Sequence, residues 1–157
     1  TLRVPDDERG VSIVLSWCRW HLGVGFSHLF LFFDEPLSSS NKDPALSFEN
    51  DFKGPQLPPK GILPDHPAIV ALENEFGKTS QFVTILSGQD LELGRWQKAH
   101  CPSWGKYSSF LHNEVQARQA MNAETALILA AKENCTWLVH LDIDELFYTG
   151  PVENICS

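Results

Sequence analysis

Trp137-Leu138-Val139-His140-Leu141-Asp142-Ile143-Asp144-Glu145 is the stretch on which the reading of this chain turns. An apolar run, which reads as a buried strand, ends abruptly in three carboxylates. Carboxylates taken out of water without partners are costly. Three at one strand end therefore point to a bound cation, or to a site that needs negative charge. On a strand, residues two apart leave the same face. Asp142 and Asp144 would then offer two oxygen ligands to one Mg²⁺ or Mn²⁺ ion, which in turn can hold a diphosphate. The plainer reading is a solvated loop after a core strand. Bare Asp-x-Asp spacing recurs by chance, so the context carries the weight: a long helix, then an apolar strand, then a third acid.

Outward from that stretch, the chain alternates. Val11 to Ser16 follows Gly10 and is a β-branched apolar run, predicting strand one. Trp17, Trp20, His21 and Val24 recur at helical spacing, predicting a short helix that Gly23 and Gly25 end. His28 to Phe33 predicts a second buried strand, closed by Asp34-Glu35-Pro36. Pro67 to Phe76 predicts a helix with Pro in its first turn and Gly77 after it. Gln81 to Leu86 predicts a third strand. Ser87 to Ser109 reads as irregular. From about Leu111 to Asn134 the pattern predicts the longest helix, rich in Ala and free of Pro. Strands alternating with helices predict an α/β domain with a mostly parallel sheet and helices on both faces. In such sheets ligands bind beyond the carboxyl ends of the strands. Asp34, Asp142 and Asp144 all fall at such ends.

Between Pro36 and Pro67 the character changes. Seven of the ten prolines lie there, among Ser, Asn, Gly and charged residues. Proline removes backbone donors and breaks both helix and strand, so residues of about 36–66 are expected to form a long surface insertion within one domain spanning 1–157.

The 157 residues suffice for one real core, and 43% hydrophobic with 20% charged residues is a globular composition. The formal net charge of −8 comes without any block of Lys or Arg, which argues against a nucleic-acid partner. A metal-bridged diphosphate needs no basic protein, because the cation supplies the charge. No apolar stretch approaches the ~20 residues of a membrane span. Cys18, Cys101, Cys135 and Cys156 form no C-x-x-C pair, so a structural zinc site is not indicated. Cys18 and Cys135 read as buried thiols. Cys101 and Cys156 lie in expected loops, where they can pair if the compartment is oxidising. Trp17, Trp20 and Trp137 read as core and His140 as a hydrogen-bonded core histidine. Trp96 and Trp104, in the irregular stretch, are candidates to stack on a sugar or base, with Lys98 and Lys106 as candidate phosphate contacts beside them. His100 next to Cys101 reads as an ordinary loop pair.

Two blocks carry a resemblance. Trp20-His21-Leu22-Gly23-Val24-Gly25-Phe26-Ser27-His28, leading into Leu29 to Asp34, resembles the early helix and second strand of glycosyltransferase family 92-like proteins. So does Gln119 to Glu124 on the long helix followed by Trp137 to Leu146, with its His-Leu-Asp-x-Asp-Glu-Leu segment. The two blocks cover about a third of the chain. The resemblance implies a GT-A-like (Rossmann-like) three-layer sandwich, of which this chain is the nucleotide-binding half. It implies Mn²⁺ or Mg²⁺ held by Asp142 and Asp144 and bridging the diphosphate of a nucleotide-sugar donor, a UDP-sugar such as UDP-galactose. Asp34 then lies near the base or ribose. Arg118 and Asn122, one turn apart, become contacts for the diphosphate or ribose. The chain opens at Thr1 and stops thirteen residues after Asp144, so it reads as a fragment. The acceptor half, the catalytic base and any later histidine ligand are expected outside it, as is any membrane segment. The family also implies a type II membrane protein of the secretory pathway, in the Golgi lumen, acting on a glycan acceptor.

The chemistry implied is glycosyl transfer to a hydroxyl acceptor, which needs a base. Glu145 is the candidate by proximity; support of the metal site or of a nearby backbone group is the commoner role for such an acid. One rival is a haloacid dehalogenase-type phosphohydrolase, in which Asp142 would be nucleophile and Asp144 acid/base. That family places Gly-Thr after the acids, where this chain has Glu145-Leu146, and carries its later motifs downstream. A further rival is a non-catalytic nucleotide-sugar-binding module.

Overall fold

The computed structural model describes Leu2 and residues 4–33, 66–77, 80–87, 91–148 and 150. The elements are α1 (Glu8–Gly23), β1 (Leu29–Phe33), α2 (Pro67–Phe76), β2 (Val83–Ser87), α3 (Leu91–His100), α4 (Trp104–Tyr107), a single 3₁₀ turn (Ser108–Phe110) and α5 (Val115–Lys132). The class is mixed α/β, with β1 and β2 paired in a two-stranded parallel sheet and α2 lying between them in sequence. The chain forms two compact units. Among the described residues one holds 4–30, 66–77, 80–84, 141–148 and 150; the other holds Leu2, 31–33, 85–87 and 91–140. Most of the expected insertion at about 36–66, and the expected site residue Asp34 before it, lie outside the described residues.

In the first unit α1 packs on α2. Asp7 caps α1, its carboxylate accepting from the Gly10 amide at 3.0 Å, and Glu8 in the first turn complements the helix dipole. Gly10 is required: a Cβ there would stand 1.9 Å from the Pro5 carbonyl oxygen. Val14, Trp17, Cys18 and His21 are buried at i, i+3, i+4 and i+7, the stripe of a one-sided helix. The helix stops as Gly25 takes φ +105°, a conformation free of strain only for glycine. Residues 11–16 are therefore helical, not strand one. Their β-branched side chains favour a strand only weakly. The cap before them and a buried stripe running through them decide otherwise. Trp20, expected in the core, is 41% exposed.

α2 matches its sequence reading. The His66 side chain accepts from the Ala68 amide at 3.2 Å, Pro67 occupies the first turn, and Gly77 closes the helix at φ +87°. Ala68, Ile69 and Leu72 form its buried side. Arg19 on α1 grips Glu75 on α2 through two bonds of 2.7 and 2.6 Å. In the same unit the Leu29 amide donates to the Phe82 carbonyl, and His28 bridges the Gln81 carbonyl and the Thr84 hydroxyl.

The second unit is mostly helical. Leu31, Phe32 and Phe33 of β1 are buried, and Leu2 bridges to Phe33 in parallel. The stretch from Ser87 to Ser109, expected to be irregular, contains α3 and α4. On α3, Leu93, Trp96 and Gln97 are buried. The Gln97 amide donates to the Thr125 hydroxyl at 3.0 Å, and Thr125 donates to the Met121 carbonyl at 2.7 Å. α5 buries Ala117, Met121, Thr125 and Leu129 on one stripe. It ends in a Schellman closure: Asn134 takes φ +56°, its amide donates to the Ala131 carbonyl, and the Cys135 amide donates to the Ala130 carbonyl.

After that closure, residues 137–142 pair with no strand among the described residues, and Trp137 is 88% exposed. Neither the expected fourth strand nor the core role of Trp137 is present. His140 is exposed as well.

Candidate functional site

The carboxylates of the opening stretch lie on a turn, not on a strand. The Glu145 amide donates to the Asp142 carbonyl at 3.0 Å, which closes a four-residue turn around Ile143 and Asp144. The Glu145 carboxylate reaches back to accept from the Asp142 amide at 2.9 Å. Both ends of the turn are thereby satisfied by one residue, and the side chain of Glu145 is spent on the backbone. Asp142 and Asp144 are exposed, and Ile143 between them is half-buried. Strand alternation does not govern where the two aspartates project; the turn does.

What holds this turn was not legible as a site. The indole N–H of Trp17 donates to the Glu145 carbonyl at 2.9 Å. The indole of Trp20 donates to the Phe147 carbonyl at 2.9 Å. The Phe147 amide donates to Nε2 of His21 at 3.2 Å. Three side chains from one side of α1 thus satisfy three backbone groups at the last residue of the acidic turn and just after it. A ring sequence runs beneath them: Trp17 to His21 at 4.0 Å, His21 edge-on to Phe26 at 5.4 Å, and Phe26 edge-on to Phe147 at 5.3 Å. The only sequence signal was two tryptophans and a histidine at helical spacing, a pattern that ordinarily marks core.

His21 is fully buried, and its tautomer follows from its partners. A backbone N–H can only donate, so Nε2 must accept from Phe147. The ring proton then sits on Nδ1 and is donated to the Trp17 carbonyl at 2.8 Å.

The other expected site residues belong to other elements. Arg118 and Asn122 belong to α5 in the second unit, whereas the acidic turn belongs to the first. Arg118 is half-buried and donates to the Leu111 carbonyl at 2.9 Å; Asn122 is 6% exposed. Trp96 is fully buried on α3, with Lys132 Nζ 5.2 Å from its ring centre, so it offers no face to a sugar. Trp104 is half-buried on α4, Lys98 and Lys106 are exposed, and Lys106 Nζ lies 4.7 Å from the Tyr107 ring centre. His100 is half-buried against Trp96. Burial pushes the Cys101 thiol up, and burial with the nearby Glu75 charge pushes Cys18 up to about 12, so both are protonated at neutral pH. Cys135 is half-buried and Cys156 lies outside the described residues.

Among the described residues no three His, Cys, Asp or Glu side chains converge as a ready metal-ligand set. The donor chemistry of the turn nonetheless suits a hard cation. Mg²⁺ is commonly held by one or two carboxylates, with water and substrate phosphate completing the shell. Asp142 and Asp144 provide two such groups, exposed on a turn whose backbone is fixed to a helix. Comparison of the chain with family models, with curated proteins and with solved structures finds no match.

Proposed function

We propose that this chain carries the donor-binding part of a metal-dependent glycosyltransferase of GT-A type, similar to family 92. The observation that carries the reading is the anchored turn. Asp142 and Asp144 present exposed carboxylates, while Glu145 and the α1 side chains consume the surrounding backbone groups. Two mobile aspartates would lose conformational freedom on binding an ion; a turn closed by Glu145 and tied to α1 at that residue has less to lose. The mixed α/β architecture, with a parallel strand pair separated in sequence by a helix, is compatible with the GT-A proposal.

On this reading Asp142 and Asp144 hold Mn²⁺ or Mg²⁺ against the diphosphate of a UDP-sugar. The ion supplies positive charge where the leaving diphosphate develops negative charge. Glu145 is a support for the turn, since its carboxylate already accepts from the Asp142 amide. Asp34, Arg118 and Asn122 are donor contacts by the family 92 resemblance alone. The acceptor is a glycan hydroxyl, and the setting is the secretory pathway.

The test is calorimetric titration of UDP with and without Mn²⁺, beside Asp142→Asn/Asp144→Asn. Manganese-dependent binding that the double variant loses supports the proposal. Absence of binding both here and in the full-length protein overturns it in its UDP form.

A further inference from the structure

We infer that His21 is a positioning residue whose neutral imidazole clasps the segment after the acidic turn to α1, and whose protonation releases it. The geometry leaves the ring one compatible state. Nδ1 gives its proton to the Trp17 carbonyl, and Nε2 takes the Phe147 amide hydrogen at 3.2 Å. In the imidazolium both nitrogens are donors. A proton on Nε2 would face the Phe147 N–H, donor against donor, in a fully buried position. Proton binding and the clasp therefore exclude each other. The two indole bonds, from Trp17 and Trp20, do not titrate and would be left to hold the segment alone.

The charged and titratable groups on the surrounding elements are few. On α1 they are Glu8 and Arg9, exposed in its first turn, Cys18, a buried neutral thiol, and Arg19, which is engaged by Glu75 of α2. α2 also carries Glu73, and the loop after α1 carries His28, bonded to Gln81 and Thr84. The acidic turn carries Asp142, Asp144 and Glu145, the last bonded to the Asp142 amide. None of these groups can replace the acceptor that Nε2 provides, because the histidine is the partner of the Phe147 amide itself. Imidazole is the side chain whose unperturbed charge change falls between about pH 5 and 8, and it is the His21 ring that accepts from the Phe147 amide.

This inference stands apart from the proposed activity, because it concerns how the turn is held and not what it binds. The experiment is nuclear magnetic resonance of the ¹⁵N-labelled chain between pH 8 and 5. It follows the His21 ring, the indole N–H signals of Trp17 and Trp20, and the protection of the Phe147 amide corrected for intrinsic exchange. The expected result is a fall in Phe147 protection of about fivefold or more, the loss of one hydrogen bond. Its midpoint should equal that of the His21 ring. His21→Gln places a non-titrating acceptor oxygen near the Nε2 position and should keep the amide protected throughout. His21→Phe keeps a stacking ring without an acceptor and should leave protection low at every pH. Steady Phe147 protection while His21 titrates would overturn the inference. So would a pH response that survives in His21→Gln, or a His21 ring that stays neutral down to acid unfolding. A parallel Mn²⁺ titration, expected to weaken with the same midpoint, rests on the proposed metal role; the resonance measurements do not.

Discussion

Thr125→Val probes the polar junction between α3 and α5, the helix that also carries Arg118 and Asn122. Thr125 is fully buried, and Gln97, which donates to it at 3.0 Å, is 5% exposed. Valine has the same branched shape, so no cavity opens and the cost is polar. The Met121 carbonyl loses the Thr125 hydroxyl but sits inside a helix. The Cys101 sulfur, 3.7 Å from the hydroxyl, loses a weak contact. The main loss is the Gln97 amide, left buried without its acceptor, which costs about 1–3 kcal/mol. Gln97→Met removes that amide while Thr125 keeps its bond to Met121, so it should cost under about 1 kcal/mol. In the Gln97→Met background, Thr125→Val should then cost almost nothing. The two changes are predicted to be non-additive by about 1–3 kcal/mol, the Thr125→Val cost that the Gln97→Met background removes. Urea unfolding followed by helical circular dichroism measures all four corners of the cycle. A Thr125→Val cost below about 0.5 kcal/mol, or simple additivity, would refute the argument that this pair fixes α3 on α5.

Cys18 predicts an alkaline limit. Its folded value is about 12 against an ordinary 9.0, so its contribution is complete below pH 9 and is lost as pH rises toward 12. At pH 10, one unit above the unfolded value, the loss is about 1.4 kcal/mol; Cys18→Ala should flatten that limb of the stability profile. Gly10→Ala should destabilise by about 1–3 kcal/mol despite alanine's better helix propensity, because the new methyl meets the Pro5 carbonyl; a thermal melt reads it. Trp137→Ser should change stability by less than about 0.5 kcal/mol, and acrylamide should quench Trp137 readily. A loss of about 3 kcal/mol or more, the cost of truncating a buried aromatic, would mean that Trp137 is packed in solution.

The sequence disclosed elements whose signals are local and hid those whose causes are distant. α2 could be read to its ends because Pro67 and Gly77 act on their own backbone. β1 and β2 could be read because short apolar runs stand between breakers. α1 was misread over residues 11–16 because a window that short samples strand preference, while Asp7 and the stripe out to His21 act over four turns. α3 was missed because its buried side includes Gln97, a polar residue that no hydrophobic period counts, and because Gly94 interrupts it. The acidic turn divides along the same line. Its carboxylates and their exposure follow from residue type and turn chemistry near Asp142. Its attachment depends on Trp17, Trp20 and His21, separated from their partners by 126 to 128 residues. An indole N–H or an imidazole nitrogen carries no mark of the carbonyl or amide it will meet. A one-sided stripe of such residues is equally a core face, and only the chain folding back beneath it turns the stripe into an anchor. Residue identity can therefore nominate Asp142 and Asp144, whereas the rigidity that would make two aspartates an effective half-site resides in a helix at the other end of the sequence.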